Sequence, residues 1–275
     1  MEATPEVDLI GGAGAMRRGV ERGAETLIPA QPNSLDLKES PMANPVADTA
    51  TILPAYIAVD VETTGLSTDD DLLEIAVLLV GNDVDFTILD HVNVLVTPQS
   101  IPHFGFLPQS FIDGVDDIPR AMHHDNGLWD DLGTALDNGT AYSVHDVDNA
   151  IVEMLTSYGV TSDNRLPLLG SSPSFDRRIV DRNLPRTAEL MNHHTVDATT
   201  LKELLERTYS DTDTTHGILD TISERAVAEV AALQATAGGH LTVKHRALFD
   251  IVVSLRQIAP FLDLLATTRA QATVQ

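Results

Sequence analysis

Five residues of this 275-residue chain have types and surroundings suited to chemistry: Asp60, Glu62, Asp176, His245 and Asp250. The segment "AYIAVDV", from Ala55, reads as a buried strand running into "ETTGL". Side chains in a strand alternate between faces, so Asp60 and Glu62 point one way and Val59 and Val61 the other. Two carboxylates on one face repel, and burying either without a partner forces it toward the protonated form. Asp176 follows the short apolar run "LPLLGSS", and Asp250 interrupts "ALFDIVVSL". Carboxylates are common in a chain with 41 of them, so "STDDD" and the acids at 116 and 117 read as solvated surface.

Two readings are open for Asp250. It is either the exposed side of an amphipathic helix or a site residue turned toward Asp60. His245 lies five residues earlier, about 140° away on an ideal helix, so the two do not share a helical face. They converge only if His245 sits at or just before the helix start; otherwise His245 is a cap or surface residue. An imidazole titrates near neutrality, which suits a proton acceptor. Two divalent cations about 4 Å apart, held by carboxylates, serve both ends of an in-line phosphodiester displacement. Mg²⁺ and other hard cations prefer such oxygen ligands.

The elements that must position these groups follow from periodicity. "AYIAVDVE", "LLEIAVLLVG" and "FTILDHVNVLVTP" predict three successive strands in an antiparallel meander. Residues 98–127 read as loop and short helix. "SVHDVDNAIVEMLTSYG" predicts a helix with Ser143 as N-cap and Gly159 past its end. "LPLLGSS" and "HTVDA" are further strands, with "SFDRRIVDRNL" between them as a helix stopped by Pro185. From Thr199 the chain reads as helical, with Pro260 breaking the last helix. Three strands and then helices alternating with two more predict an α/β fold, a mixed five-stranded sheet flanked by helices. Residues 1–50, rich in Pro, Gly, Ala and polar residues, read as an extension that is poorly ordered or wraps the domain. "GGAGAMRRG" within it lacks the preceding strand and following Lys-Ser or Lys-Thr of a phosphate loop.

Composition narrows the chemistry. With no cysteine, the chain has no disulfide, thiolate nucleophile or Cys-held metal. A formal net charge of −24 disfavours long nucleic acids and anionic membranes. No apolar run is long enough to span a membrane and no signal peptide is evident, so the expected location is cytoplasmic. The His pairs at 123–124 and 193–194 lack a spaced third zinc ligand. Arg177 and Arg178 either approach phosphates or form ion pairs with Asp176 and Asp181.

Taken together, D-x-E on a strand, an Asp at a helix start and a late H-x4-D resemble the DEDDh 3′–5′ exonucleases, in the same order along the chain. "GSSPSFDRRIV", "HHTVDATTLKELLER", "KHRALFDI" and "MHHDNGLWDDL" resemble segments of the oligoribonuclease branch. The resemblance covers about residues 55 to 260. It implies a ribonuclease H-like fold over 51–270, with a helical insertion near 209–240. It also implies hydrolysis of short single-stranded RNA to 5′-mononucleotides, two divalent cations (Mg²⁺ or Mn²⁺) and a homodimer. Asp60 would bridge the cations, Glu62 and Asp250 would hold the nucleophile-side ion, Asp176 would complete the site, and His245 would be the general base.

The resemblance further assigns Leu66 as a wedge between bases, His123 as a stacking histidine and Ser172 as a serine near the phosphate. Each has a plainer alternative: turn packing, a surface histidine, and a capping serine beside Pro173. A Tyr-Arg pair with Ser and Lys, from a neighbouring subunit, caps the far phosphate in the family. Here those positions read His193, His194, Thr199 and Lys202, and Ile118 replaces the family's tryptophan. Two other readings stand beside this one: a proofreading-type exonuclease on single-stranded DNA, and a binding module that retains the fold without catalysis.

Overall fold

The strand that carries Asp60 and Glu62 lies at the centre of the sheet. In the computed structural model, which describes residues 52–101, 105–208, 212–234 and 244–258, β1 (Pro54–Thr63) lies between β2 (Leu72–Gly81) and β4 (Leu166–Gly170). The order is β3-β2-β1-β4-β5, with β3 at Ile88–Leu95 and β5 at Met191–Asp197. β1–β2 and β2–β3 are antiparallel, while β1–β4 and β4–β5 are parallel. The sheet is therefore the mixed α/β one that the periodicity predicts.

The two faces of β1 go to different cores. Val59 and Val61 join one apolar cluster with Val147, Ile151 and Ile179, from helices α4 (Val144–Ser157) and α5 (Ser174–Asn183). Ala58 joins another with Leu248, Ile251 and Val252, from the helix at 247–258, here α9. Asp60 and Glu62 share the parity of Ala58, so they belong to the α9 face. This alternation brings the late part of the chain over the early carboxylates.

Local signals explain several boundaries. Ser143 accepts a hydrogen bond from the Asp146 N–H at the start of α4, and Gly159 takes φ +81 beyond its end. Residues 98–127 are more structured than their composition predicts. They hold α1 (Gln109–Asp113) and α2 (Asp117–Asp125), followed by α3 (Leu128–Asp137). Leu128, Trp129, Leu132 and Leu136 of α3 are buried against Leu73. Pro185 does not simply end a helix: α5 stops at Asn183 and Pro185 opens the short α6 (Pro185–Ala188), where its missing N–H is harmless. The fifth strand is longer than "HTVDA", because Met191 pairs with Leu166.

α7 spans Ala198–Thr208, and α8, at Thr212–Leu233, falls inside the region read as a helical insertion. The extension at 1–50 with "GGAGAMRRG", the rest of that insertion at 209–211 and 235–240, and the Pro260 break lie outside the described residues. Among the described residues, no helix is long and apolar enough to cross a membrane.

Candidate active site

The β1 residues Asp60 and Glu62 meet Asp250 of α9, with one carboxylate oxygen from each lying within 4.8 Å of the others. Asp250 is thus turned toward the sheet, and its reading as the exposed side of an amphipathic helix is overturned. α9 begins at residue 247, so His245 precedes the helix, and the 140° separation of a helical wheel does not apply. The His245 N–H donates to Asp250 Oδ2 at 3.2 Å, and ring Nδ1 stands 3.7 Å from the same oxygen. His245 itself adopts φ 63, a left-handed conformation uncommon for a residue with a Cβ.

Asp176, in the first turn of α5, stands beside this cluster on the β1 backbone. Its Oδ1 accepts the Val61 N–H at 3.1 Å. It is buried, and burial pushes its pKa up to about 7 although backbone N–H groups pull it down. Burial also raises Asp60 well above the usual carboxylate range, reinforced by Asp176, Glu62, Asp250 and Glu74. Glu62 is raised the same way, by burial and then by Glu74 and Asp250, with Arg246 opposing. Burial raises Asp250 too, while the His245 N–H bond, His245 and Lys244 hold it down. Four acids crowded so that each resists ionising form a donor set that a hard divalent cation would relieve. The residues present fit such a metal.

The turn after β1 presents Leu66. Thr64 N–H bonds Asp71 O at 3.0 Å, Asp71 N–H bonds Thr64 Oγ1 at 2.9 Å, and Ser67 N–H bonds Asp70 Oδ2 at 2.7 Å. A Cβ at Gly65 would sit 2.5 Å from Asp70 Oδ2, so a side chain there would push aside the carboxylate that braces the turn. Leu66 is 84% exposed, so it does not pack the turn. The acids of "STDDD" are partly turn-builders rather than only solvated surface.

His123 departs from both of its sequence readings. Its ring is fully buried, at 0% exposure, set edge-on to Trp129 with centroids 5.2 Å apart. Such a ring is not a surface histidine and offers no open face to a base. Nε2 lies 2.8 Å from the Thr63 carbonyl, an acceptor, so Nε2 carries the proton. Burial lowers the pKa of His123, leaving Nδ1 as an unpartnered lone pair 3.9 Å from Glu62 Oε2.

Ser172 has φ 53 and does not cap α5, whose N-cap position is Pro173. Its N–H donates to Asp197 Oδ1 at 3.0 Å, and its hydroxyl lies 3.4 Å from Thr199 Oγ1. Asp197 also receives the Thr199 N–H at 2.9 Å, so Ser172 and Thr199 are brought together at the start of α7. Lys202 lies one turn further along α7 and is partly buried. His193 and His194 are exposed on β5, their ring centroids 4.0 Å apart. Arg177 pairs with Asp181 at 2.8 Å and donates to Asn192 O, as a structural arginine would; Arg178 lies over Phe175.

The sequence reading passed over Glu74, Asp131, Arg246 and Asn126. Glu74 stands directly opposite Glu62 in the β1–β2 register and is buried with Arg246. A lone acid in "LLEIAVLLVG" is the same signal that marks Asp60, and it was available.

No family model matches this chain. Among curated proteins it is similar to a probable oligoribonuclease of Caenorhabditis elegans, 25% identical over 180 residues, covering 63% of this chain and 84% of the relative. The oligoribonuclease of Alcanivorax borkumensis is 28% identical over 181 residues, covering 63% and 90%. That of Nitrosomonas europaea is 28% identical over 151 residues, covering 55% and 75%. A solved structure, the zinc-bound form of the E. coli ExoI–ssDNA complex, aligns with TM-score 0.36 at 14% identity, covering 78% of this chain and 43% of that one. The curated relatives bear out the resemblance carried by the motifs.

Proposed function

We propose that this chain, an enzyme similar to oligoribonucleases along most of their length, is a 3′-to-5′ exoribonuclease that hydrolyses short RNA to 5′-mononucleotides with two divalent cations, Mg²⁺ or Mn²⁺. What supports the reading is the meeting of Asp60, Glu62 and Asp250 within 4.8 Å, with His245 bonded to the last of them. Asp60, Glu62 and Asp250 would hold the cations, with Asp176 beside them. Bound there, divalent cations supply a water activated at neutral pH and charge relief on the departing oxygen.

The chain's own residues do the rest. His245 takes the proton of the attacking water, and Asp250 Oδ2, 3.7 Å from its Nδ1, gives the resulting imidazolium a counterion. The new P–O bond forms as the bond to the 3′-oxygen breaks, so the released nucleotide keeps a 5′-phosphate and the shortened strand a 3′-hydroxyl. Leu66, exposed at the tip of its braced turn, meets the terminal bases. Ser172 would bind near the phosphate, and in the homodimer His194, Thr199 and Lys202 of the second copy would cap the far phosphate. The catalytic domain spans 51–270, and the active form is a homodimer, as the family resemblance implies.

A net charge of −24 favours a substrate with few phosphates, since each further one adds repulsion that only the local cations offset. The test is a product ladder from 5′-labelled RNAs, from dinucleotides to about twenty nucleotides, with Mn²⁺ and a matching set of single-stranded DNAs. Stepwise loss from the 3′ end, fastest for the shortest RNAs, is expected. Equal or faster cleavage of long single-stranded DNA would move the protein to the proofreading type, and no cleavage of any strand would leave only a binding module.

A further inference from the structure

We propose that Arg246, locked between Glu74 and Asp131, and Asn126, bonded to the His245 carbonyl, are positioning residues that set His245 against the carboxylate cluster; this rests on the reading of His245 as the base.

The observation behind it is the backbone of His245, held at φ 63 in a three-residue bend, 244–246, that leads into α9. A residue with a Cβ stays in that region only where its surroundings over-determine it. Three anchors do so. The His245 N–H is taken by Asp250 Oδ2, and its carbonyl accepts from Asn126 Nδ2. Asn126 is itself buried at the α2–α3 junction, where its Oδ1 accepts the Leu128 N–H at 2.9 Å.

The third anchor is the next residue. Arg246, at 0% exposure, forks onto Glu74 with Nε–Oε2 at 3.0 Å and Nη2–Oε1 at 3.1 Å, and reaches Asp131 Oδ2 with Nη1 at 2.6 Å. Glu74 Oε2 also accepts the Ala247 N–H at 3.2 Å. Because Glu74 faces Glu62 in register, the bend is fastened to the strand beside the metal-ligand candidates. A planar fork fixes direction as well as distance, which an ammonium does not.

Stability alone does not account for the arrangement. A buried ion pair is often no better than well-packed apolar residues of the same volume. What the pair adds is a fixed orientation for the adjoining bend, together with a tie that keeps the Glu74 carboxylate from joining those of Asp60, Glu62 and Asp250.

The experiment compares wild type with His245→Ala, Arg246→Lys and the charge-neutral double variant Glu74→Gln/Arg246→Met, measuring kcat and KM on a dinucleotide at saturating Mn²⁺, with thermal melts. A positioning role predicts kcat down about 10- to 100-fold in the double variant. It also predicts KM within about twofold of wild type and a folded protein at assay temperature, as expected of a group that acts only on the chemical step. Arg246→Lys should fall between, since it keeps the charge but not the fork. Asn126→Ala, which cuts the carbonyl anchor without touching a charge, gives the same comparison if the double variant does not fold. A folded double variant, or failing that a folded Asn126→Ala, with kcat within about twofold of wild type while His245→Ala is impaired would overturn this proposal alone. An unimpaired His245→Ala would overturn the base assignment and this proposal with it.

Discussion

The main-chain N–H of His245 and the Oδ2 of Asp250 are joined at 3.2 Å, so the carboxylate that faces Asp60 and Glu62 also fastens the bend that precedes its own helix. Asp250 therefore has two tasks, and its loss should be felt through both. Asp60→Ala and Asp250→Ala are expected to abolish metal-dependent hydrolysis while the circular dichroism of the fold survives. His245→Ala should lower kcat about 10²- to 10⁴-fold, the usual worth of a positioned general base, with divalent-ion binding by calorimetry retained. Wild-type turnover in either aspartate variant at saturating Mn²⁺ would remove those residues from the metal site.

Asp176 makes the stability of the metal-free protein depend on pH. Its carboxyl has an ordinary value of 3.8 and is pushed up to about 7 by burial in the fold. Between those values the folded chain binds the proton more tightly than the unfolded one, so this contribution is full below about pH 4 and is lost as pH climbs through about 7. Asp176→Asn removes the titration. The stability of wild type relative to Asp176→Asn, measured by urea denaturation in chelator, should fall as pH rises across that window. Adding Mn²⁺ should reverse the shift by favouring the ionised carboxylates, with proton release on binding. A difference that is flat in pH would refute the burial of this carboxyl.

Leu66 separates binding from stability. A leucine 84% exposed contributes little to the core, so Leu66→Ala should change stability by no more than about 0.5 kcal/mol. If it meets the terminal bases, KM for dinucleotides should rise while the melting temperature stays put. An unchanged KM would assign Leu66 to the turn alone.

Much of this organisation is legible because it is local. The alternation in β1 separates Val59 and Val61 from Asp60 and Glu62, and Ser143 and Gly159 mark the ends of α4 by capping chemistry. What escaped depends on distant partners. α3 was hidden behind a Gly-, Pro- and His-rich stretch, although its buried Leu128, Leu132 and Leu136 already had helical spacing. His123 reads as a surface ring until Thr63, sixty residues earlier, and Trp129 close around it. The approach of His245 to Asp250 requires α9 to start at 247, and the bend before it is held by Arg246 and Asn126, whose partners lie more than a hundred residues away.

Asp148 is the counterpart of the site acids, buried for structure rather than chemistry. On α4 it accepts the Thr187 N–H at 2.8 Å, the Thr187 hydroxyl at 2.7 Å and the Arg186 N–H at 3.1 Å, tying α4 to the short helix that Pro185 opens. Hydrogen bonds to a charged acceptor are worth about 1.5 to 3 kcal/mol each, and the orphaned donors add a desolvation penalty. Asp148→Ala should therefore destabilise the fold by roughly 3 kcal/mol, since the losses at one shared acceptor do not simply add. Because Asp148 packs α4 against α6, its loss should leave kcat and metal affinity of the remaining folded protein near wild type. Denaturant melts and steady-state kinetics on the same preparation make the comparison. A large fall in kcat without loss of stability would place Asp148 among the functional carboxylates instead.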